Sequence, residues 1–196
     1  MDYGLNTLFP TPVLLDKINN TELLHAVIQD LLVNIDLAAP PSDFQKYDVL
    51  REGSPVIQEF KNTVVIPTFE KYLNQVCNTS LTSYTSFWMK SWVTGTGYDY
   101  SIPVHNHSGA SLSAVFYLMC EEQDKGGELM MIDPRPNANR GYDVNFKPLF
   151  EPQGVLPQTG DIVVLPSFLY HYSTVFKGKL RLAMPVDLFM SIDNLA

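Results

Sequence analysis

The chain has 196 residues, of which 45% are hydrophobic and 17% are charged, and its formal net charge is −8. This length and composition are typical of one globular domain with a sizeable core. The acidic balance and the lack of any run of Lys or Arg argue against a nucleic-acid surface, and no apolar stretch approaches the roughly 20 residues of a membrane span.

The N-terminus and the cysteines bear on the cell compartment. Residues 1–16 have an acid at position 2, no basic segment and an apolar run interrupted by proline, which is not the pattern of a secretory signal. Cys77 and Cys120 are too few for a disulfide framework. We therefore expect two reduced thiols in a cytoplasmic protein.

The chain begins with a predicted edge strand followed by an amphipathic helix. The strand covers residues 8–15, and its two prolines suit the edge of a sheet rather than its centre. Residues 19–38 then place apolar side chains at helical spacing, with Asn20 or Thr21 as the cap. His25 falls on the opposite face of this helix, so we expect it in solvent.

A second helix is predicted to begin after Ser54, which can cap it, with Pro55 at the favoured first position. Pro67 should kink or split this helix, because proline removes a backbone donor. The apolar face is expected to consist of Val56, Phe60, Val64, Tyr72, Leu73 and Val76. Both helices are amphipathic and need a surface to cover.

From about Tyr84 the pattern changes to short strands. Strand candidates are SFWMKSWVT, LSAVFYLM, ELMMID, DIVVLP and LRLAMPVDLF, and turn signals include GTGYDYS and EEQDKGG. Many short strands at short intervals predict a mainly β sandwich or barrel. No boundary is visible, so we expect one domain over 1–196, with the N-terminal strand and supporting helices in 1–85 and the β core in 86–196.

Three of the four histidines form a candidate metal site. His105 and His107 project to one side if their segment is extended. His171 lies 64 residues beyond His107 and follows the apolar run IVVLP. Imidazole is a common ligand of iron, copper, nickel and zinc. The three histidines can therefore hold one ion if the fold brings their two segments side by side. The alternative is a set of ordinary loop histidines.

Arg181 lies ten residues after His171, inside an apolar strand. A buried arginine is costly unless it meets an anion. The anion could be a ligand carboxylate, which a guanidinium binds through two parallel hydrogen bonds. The alternative is a structural acid of the chain, such as Asp161 or Asp187.

Several motifs together resemble a known family. In order they are His-x-His, a strand ending in Tyr-Leu, GGEL, GDIVVLPSFLYH and the arginine ten residues later. This order is similar to that of the Fe(II)- and 2-oxoglutarate-dependent oxygenases, especially their prolyl-hydroxylase-like branch and its group in bacteria and their phages. The resemblance is strong over residues 86–188 and looser over the helices.

The resemblance implies a double-stranded β-helix, the jelly roll shared with cupins. It implies that His105, His107 and His171 hold Fe(II), with no further catalytic residue. It also implies hydroxylation of a substrate that the sequence does not identify, either a small molecule or a peptide or protein side chain, with release of succinate and CO₂. The segments 45–53 and 134–142 would be the candidate lids.

Three further residues receive roles from the resemblance. Arg181 would pair with the far carboxylate of the cosubstrate 2-oxoglutarate, and Tyr117 would add a hydrogen bond to it. Trp92 would form one wall of the pocket. The alternative is that Trp92 is an ordinary aromatic residue of the core.

The sequence departs from the family pattern at two positions. His107 stands where relatives usually have Asp or Glu, which leaves three neutral imidazoles and a more positive iron site. Ala183 stands where relatives often have a hydroxyl residue. Three-histidine sites occur in cupin dioxygenases, so the alternatives are a cupin-like dioxygenase or isomerase that does not use 2-oxoglutarate and a non-catalytic jelly-roll module.

Overall fold

Two antiparallel β-sheets and a layer of helices make up the described part of the chain, which in this computed structural model comprises residues 10–34, 48–97, 99–135 and 152–191. The strands are β1 (Leu14–Lys17), β2 (Ser86–Ser91), β3 (Thr94–Thr96), β4 (Leu112–Cys120), β5 (Leu129–Met131), β6 (Gln153–Val155), β7 (Asp161–Pro166), β8 (His171–Ser173) and β9 (Arg181–Ser191). The helices are α1 (Thr21–Asn34), α2 (Val49–Glu52), α3 (Pro55–Phe60) and α4 (Ile66–Tyr72), with π-helical segments at Lys61–Val65 and Leu73–Cys77 and 3-10 turns at Leu81–Ser83 and Gln123–Lys125.

The larger sheet has the order β1-β7-β4-β9-β2, and β3 pairs with the other end of β9. The smaller sheet has the order β6-β5-β8. The predicted strands around β2, β4, β5, β7 and β9 are confirmed. One prediction is wrong: the turn-prone stretch GTGYDYS begins with strand residues, because Gly95 and Thr96 pair with Leu182 and Arg181.

The first strand lies at the edge of the larger sheet, as its prolines predict. Its position differs from the prediction, because the strand begins at Leu14 and continues to Lys17. Pro10 and Pro12 precede it, where they remove no donor from the ladder with β7. The part of the prediction at residues 8 and 9 lies outside the described residues.

The larger sheet is covered on both faces. Alternate residues of β4, such as Phe116 and Leu118, pack with the helices in the main core. Val115 and Tyr117, on the opposite face of the strand, pack with Leu129 of the smaller sheet. Burial on both faces explains why β4 is a continuous apolar run rather than an alternating one.

The first helix follows its prediction. Asn20 caps it, since its side-chain oxygen accepts a hydrogen bond from the Leu23 amide at 3.0 Å. Five apolar residues of one face are buried, namely Leu23, Leu24, Val27, Ile28 and Leu31, and His25 is exposed. No helix in the described ranges is long and apolar enough to cross a membrane.

The second helical region is not split at Pro67, although a split was one of the two expectations. Ser54 accepts a hydrogen bond from the Ile57 amide at 3.4 Å, as predicted. Helical backbone then runs through Pro67 without a break, because the π-helical segment Lys61–Val65 widens the turn before the proline. The second π-helical segment shifts the phase of the face, so Val76, predicted to be buried, is 43% exposed.

The two predicted lids are described only in part. Residues 45–47 of one and 136–142 of the other lie outside the described residues. Asp48 is described, and its carboxylate accepts hydrogen bonds from the amide and hydroxyl of Ser91 at 3.2 and 2.9 Å. This end of the first segment is therefore fixed to β2.

Candidate metal centre

His105 and His171 are directly opposite each other on adjacent chain segments. The amide of each donates a hydrogen bond to the carbonyl of the other, both at 2.9 Å. Such a pair directs both side chains to the same side of the ladder. This backbone pairing therefore brings the segment of His105 next to the segment of His171, which is distant in sequence.

His107 joins this pair from the large-sheet side. Its amide donates to the Ser167 carbonyl at 3.0 Å. The imidazole ring centroids of the trio are 5.3, 4.3 and 5.1 Å apart for the pairs 105–107, 105–171 and 107–171. One ring nitrogen from each residue lies within 4.8 Å of the other two, a spacing that one metal ion can bridge.

Each imidazole is held in one tautomer. Nδ1 of His105 lies 2.8 Å from the Pro103 carbonyl, and Nδ1 of His171 lies 2.9 Å from the Leu169 carbonyl. A carbonyl only accepts, so these Nδ1 atoms carry the proton and the Nε2 lone pairs are free. Nδ1 of His107 lies 2.6 Å from a carboxylate oxygen of Asp187, which is also an acceptor, so this Nδ1 carries the proton as well. The donor set therefore fits a first-row metal.

Burial keeps two of the three rings uncharged. It lowers the pKa of His105, although the hydrogen bond to the Pro103 carbonyl opposes the effect. It lowers the pKa of His171 to about 4. Both rings are neutral at ordinary pH, which is the form that binds a metal.

Asp187 is buried and belongs to a small hydrogen-bonded network. Its Oδ1 accepts from the Ser113 hydroxyl at 2.7 Å as well as from His107. The Ser113 hydroxyl is also 2.9 Å from that of Ser167, whose carbonyl binds the His107 amide. The two serines thus tie the carboxylate and the imidazole into one closed network.

Arg181 is 5% exposed, and neither acid considered as its structural partner binds it. Asp187 is bonded to His107, and Asp161 contacts Lys17 at 3.5 Å. No ion pair to this guanidinium occurs within the described residues. The arginine side chain donates to the Gly127 carbonyl instead.

The guanidinium is positioned by a glycine and two aromatic rings. Gly127 has a φ of +85°, and a Cβ at this position would collide with Nη1 of Arg181. The guanidinium carbon lies 5.4 Å from the Phe176 ring centroid and 6.0 Å from that of Tyr117. These contacts hold the cation in place, and no acid among the described residues forms an ion pair with it.

An inner cavity connects the arginine with the histidines. Tyr117 and Arg181 line one end, and His105 and His171 line the other. Burial raises the pKa of Tyr117, so its phenol is a neutral hydrogen-bond donor. Ala183 also lines the cavity and offers no hydroxyl. The cavity holds about 40 Å³, room for a few water molecules.

Trp92 lies in a different, outer pocket of about 450 Å³. Its ring centroid is 5.6 Å from that of His107, and its side chain is half-buried. Lys90, Tyr100 and Asn106 line the same pocket. His105 borders both spaces. The structure thus brings Arg181 and Tyr117 to one side of the histidines and Trp92 to the other.

Sequence reasoning missed two residues of the site. Asp187 was considered only as a partner of Arg181, although an acid inside the run AMPVDLF is itself a signal of a buried polar contact. Gly127 belongs to the GGEL motif, but its contact with Arg181 depends on a distant part of the chain.

One protein family matches this sequence. The family model described as "Putative 2OG-Fe(II) oxygenase" matches residues 90–187, which is half of the chain. The match includes the three histidines and Arg181. No curated protein matches the chain.

Solved structures of similar fold extend over nearly the whole chain. A prolyl-4-hydroxylase from Pseudomonas putida is 14% identical, with a TM-score of 0.62, over 94% of this chain and 89% of that one. HygX from Streptomyces hygroscopicus, with nickel and 2-oxoglutarate bound, is 14% identical, with a TM-score of 0.60, over 91% and 83%. The non-heme α-ketoglutarate-dependent epimerase SnoN from nogalamycin biosynthesis is 12% identical, with a TM-score of 0.62, over 95% and 83%. At these identities the likeness shows the fold, which confirms the predicted double-stranded β-helix.

Proposed function

This chain belongs to the 2OG-Fe(II) oxygenase family, and from that premise we propose that it is a hydroxylase that uses Fe(II) and 2-oxoglutarate. One observation carries the proposal. Three imidazoles with free Nε2 atoms converge beside an inner cavity that His105 and His171 line. Arg181, a buried cation with no ion pair among the described residues, lines the same cavity.

The three histidines would bind the metal, and other residues of the cavity would bind the cosubstrate. His105, His107 and His171 would hold the metal through Nε2. When bound, Fe(II) with O₂ and 2-oxoglutarate supplies an oxidant able to remove hydrogen from a C–H bond, with succinate and CO₂ as co-products. On the inner side the buried residues Val115, Tyr117 and Leu129 would shield this chemistry from water.

Arg181 would bind the far carboxylate of 2-oxoglutarate, and Tyr117 would donate a hydrogen bond to the same group. A guanidinium held by Gly127 and two rings is already oriented for a planar anion. The cavity of about 40 Å³ is too small for a five-carbon diacid. We therefore expect its side chains to separate when the cosubstrate binds.

The substrate would enter through the outer pocket. Its volume of about 450 Å³ suits a single side chain or a small molecule. Trp92 would pack against the substrate beside His107, and Asn106 and Tyr100 offer polar contacts at the rim. The fold likeness to a prolyl-4-hydroxylase supports a peptide or protein side chain as substrate.

The competing function is a cupin-like dioxygenase or isomerase that does not use 2-oxoglutarate. The observation in its favour is the ligand face itself, which consists of three imidazoles and no carboxylate. The observation against it is Arg181, because a buried cation that forms no ion pair within the described residues is costly unless a ligand supplies the anion.

We also propose a cytoplasmic location. Cys77 and Cys120 are both free thiols in the structure. Cys77 is exposed, and burial raises the pKa of Cys120 to about 12. Both thiols would persist in a reducing compartment.

Calorimetry on the anaerobic Fe(II) protein tests the proposed function, followed by an assay for succinate. We expect 2-oxoglutarate to bind and to be turned over. Arg181→Lys should weaken binding at least tenfold, because lysine keeps the charge but loses the paired hydrogen bonds. The control is Arg51→Lys, at an exposed arginine whose guanidinium contacts its neighbour Glu52.

No binding of 2-oxoglutarate at millimolar concentration would overturn this function. O₂ uptake with a thiol substrate by the same protein would then favour the competing dioxygenase. Wild-type affinity in Arg181→Lys would instead remove only the role given to the arginine.

A further inference from the structure

The three ligands of the proposed metal site carry no charge of their own. An imidazole that binds a metal through Nε2 and keeps its Nδ1 proton is neutral, and Nδ1 of His105 and of His171 each donates to an uncharged carbonyl. A divalent ion held by neutral imidazoles alone would bring two positive charges into a largely buried site. Buried charge is unfavourable unless an opposite charge lies nearby.

Asp187 is the carboxylate in contact with this ligand set. Its Oδ1 is 2.6 Å from Nδ1 of His107, and both residues are 8% exposed. The Ser113 hydroxyl donates to the same oxygen at 2.7 Å. Oδ1 of Asp187 thus accepts two hydrogen bonds, from an imidazole and from a hydroxyl, which is an arrangement suited to a carboxylate.

His107 is therefore different from the other two ligands. Its ring is bonded to a carboxylate, whereas theirs are bonded to backbone carbonyls. A carboxylate behind an imidazole fixes its orientation and makes Nε2 a stronger donor to a metal. Charge-assisted hydrogen bonds of this kind are also roughly twice as strong as neutral ones.

The network around Asp187 holds this pair in place. Ser113 binds both Asp187 and Ser167, and the Ser167 carbonyl receives the His107 amide. Asp187 and Ser113 are also direct partners in the ladder between β9 and β4. The carboxylate is thus fixed by two strands of the larger sheet.

We propose that Asp187 is a positioning residue of the metal centre, which through His107 supplies the negative charge that the three imidazoles lack. The inference rests on the proposed iron site and goes beyond it, since it assigns a role to a residue that does not itself touch the metal. It predicts that the anion favours the higher charge state of the metal and tightens metal binding.

The test is Asp187→Asn, which keeps the shape and an acceptor for His107 but removes the charge. Anaerobic calorimetry with Fe(II) alone, and with Zn(II) alone, should show affinity reduced about 10- to 100-fold. The reduction potential of the bound iron should rise, which a purely structural role would not produce. The control is Asp161→Asn, which also removes an acid of the larger sheet, from a residue whose carboxylate binds Lys17 instead.

A second measurement on the wild-type protein covers the case in which Asp187→Asn does not fold. In the diamagnetic Zn(II) form, the Nδ1 proton of His107 should resonate farther downfield than those of His105 and His171, because only its acceptor is charged.

The outcomes separate this inference from the proposed function. If the wild type binds neither metal, the proposed function fails. If the wild type binds iron and Asp187→Asn has the same affinity and potential, this inference alone is wrong. It is equally wrong if the Nδ1 proton of His107 resonates with those of the other two histidines.

Discussion

At the scale of single residues, the hydrogen bonds that the Nδ1 atoms donate leave the Nε2 atoms available to bind a metal. Three acceptors, two carbonyls and one carboxylate, fix the tautomers of His105, His171 and His107. Without these bonds either ring nitrogen of each imidazole could carry the proton. The free Nε2 atoms are thus a property of the folded protein.

The role of the three histidines as ligands stays a prediction that the geometry supports. Replacement of any one by alanine should weaken Fe(II) binding more than tenfold, because each removes one of three protein ligands. Iron stoichiometry after gel filtration measures the effect. His25→Ala is the control, because His25 is exposed on α1. Tight, near-stoichiometric binding in all three variants would refute the site.

Gly127 provides a test of how Arg181 is held. Gly127→Ala should reduce 2-oxoglutarate affinity at least tenfold, because the new Cβ displaces a guanidinium whose charged hydrogen bonds contribute about 1.5–3 kcal/mol each. Calorimetry on the anaerobic Fe(II) protein measures it.

The matched control for this variant is Gly160→Ala. Gly160 has a similar φ of +87°, but its Cβ would make only ordinary contacts. The positive φ should cost each variant about 1–2 kcal/mol of stability, and Gly127→Ala should lose more because its Cβ also displaces Arg181. Equal 2-oxoglutarate affinity in the two variants would contradict the role given to Gly127.

At the scale of elements, the helices cover one face of the larger sheet and the metal site lies on the other side. Phe60 of α3 meets Phe116 of β4 edge to face, with ring centroids 5.7 Å apart. The next residue of β4, Tyr117, lines the inner cavity. One strand therefore links the helical layer to the site.

Phe60→Ala should lower the free energy of unfolding by about 3–5 kcal/mol, because both rings of the pair are fully buried. Urea denaturation measures the loss. Phe168→Ala, the same substitution at a residue that is 59% exposed, should change stability by less than about 1 kcal/mol. Similar losses in the two variants would mean that the helices do not pack on β4 as described.

At the scale of the whole molecule, the proposed metal joins parts of the chain that are far apart in sequence. His105 and His107 belong to the segment before β4, whereas His171 begins β8. A ligand that binds only the folded chain stabilises it. Metal binding is therefore expected to stabilise both sheets together.

Fe(II) or Zn(II) at about 100 times its Kd should add about 2.7 kcal/mol of stability. For a domain of this length that corresponds to a rise in Tm of roughly 5–10 °C. Differential scanning fluorimetry with metal, and then with excess chelator, measures the rise and its reversal. His171→Ala should show neither. A wild-type Tm that metal leaves unchanged would contradict a site that bridges the two segments.

The sequence by itself determined the elements whose signals are local. Helical spacing and the Asn20 cap predicted α1, and the apolar run LSAVFYLM predicted the strand β4. The alternation of an extended chain placed His105 and His107 on one side. These features depend on neighbours within a few residues, so they can be read from the chain directly.

The tertiary structure decided which distant residues meet. It pairs the backbones of His105 and His171. Asp187 forms a hydrogen bond with His107 and not with Arg181, and Gly127 contacts that arginine. It also let the helix continue through Pro67 by widening the preceding turn. Such contacts depend on strand register and on the packing of whole layers, which local composition does not encode.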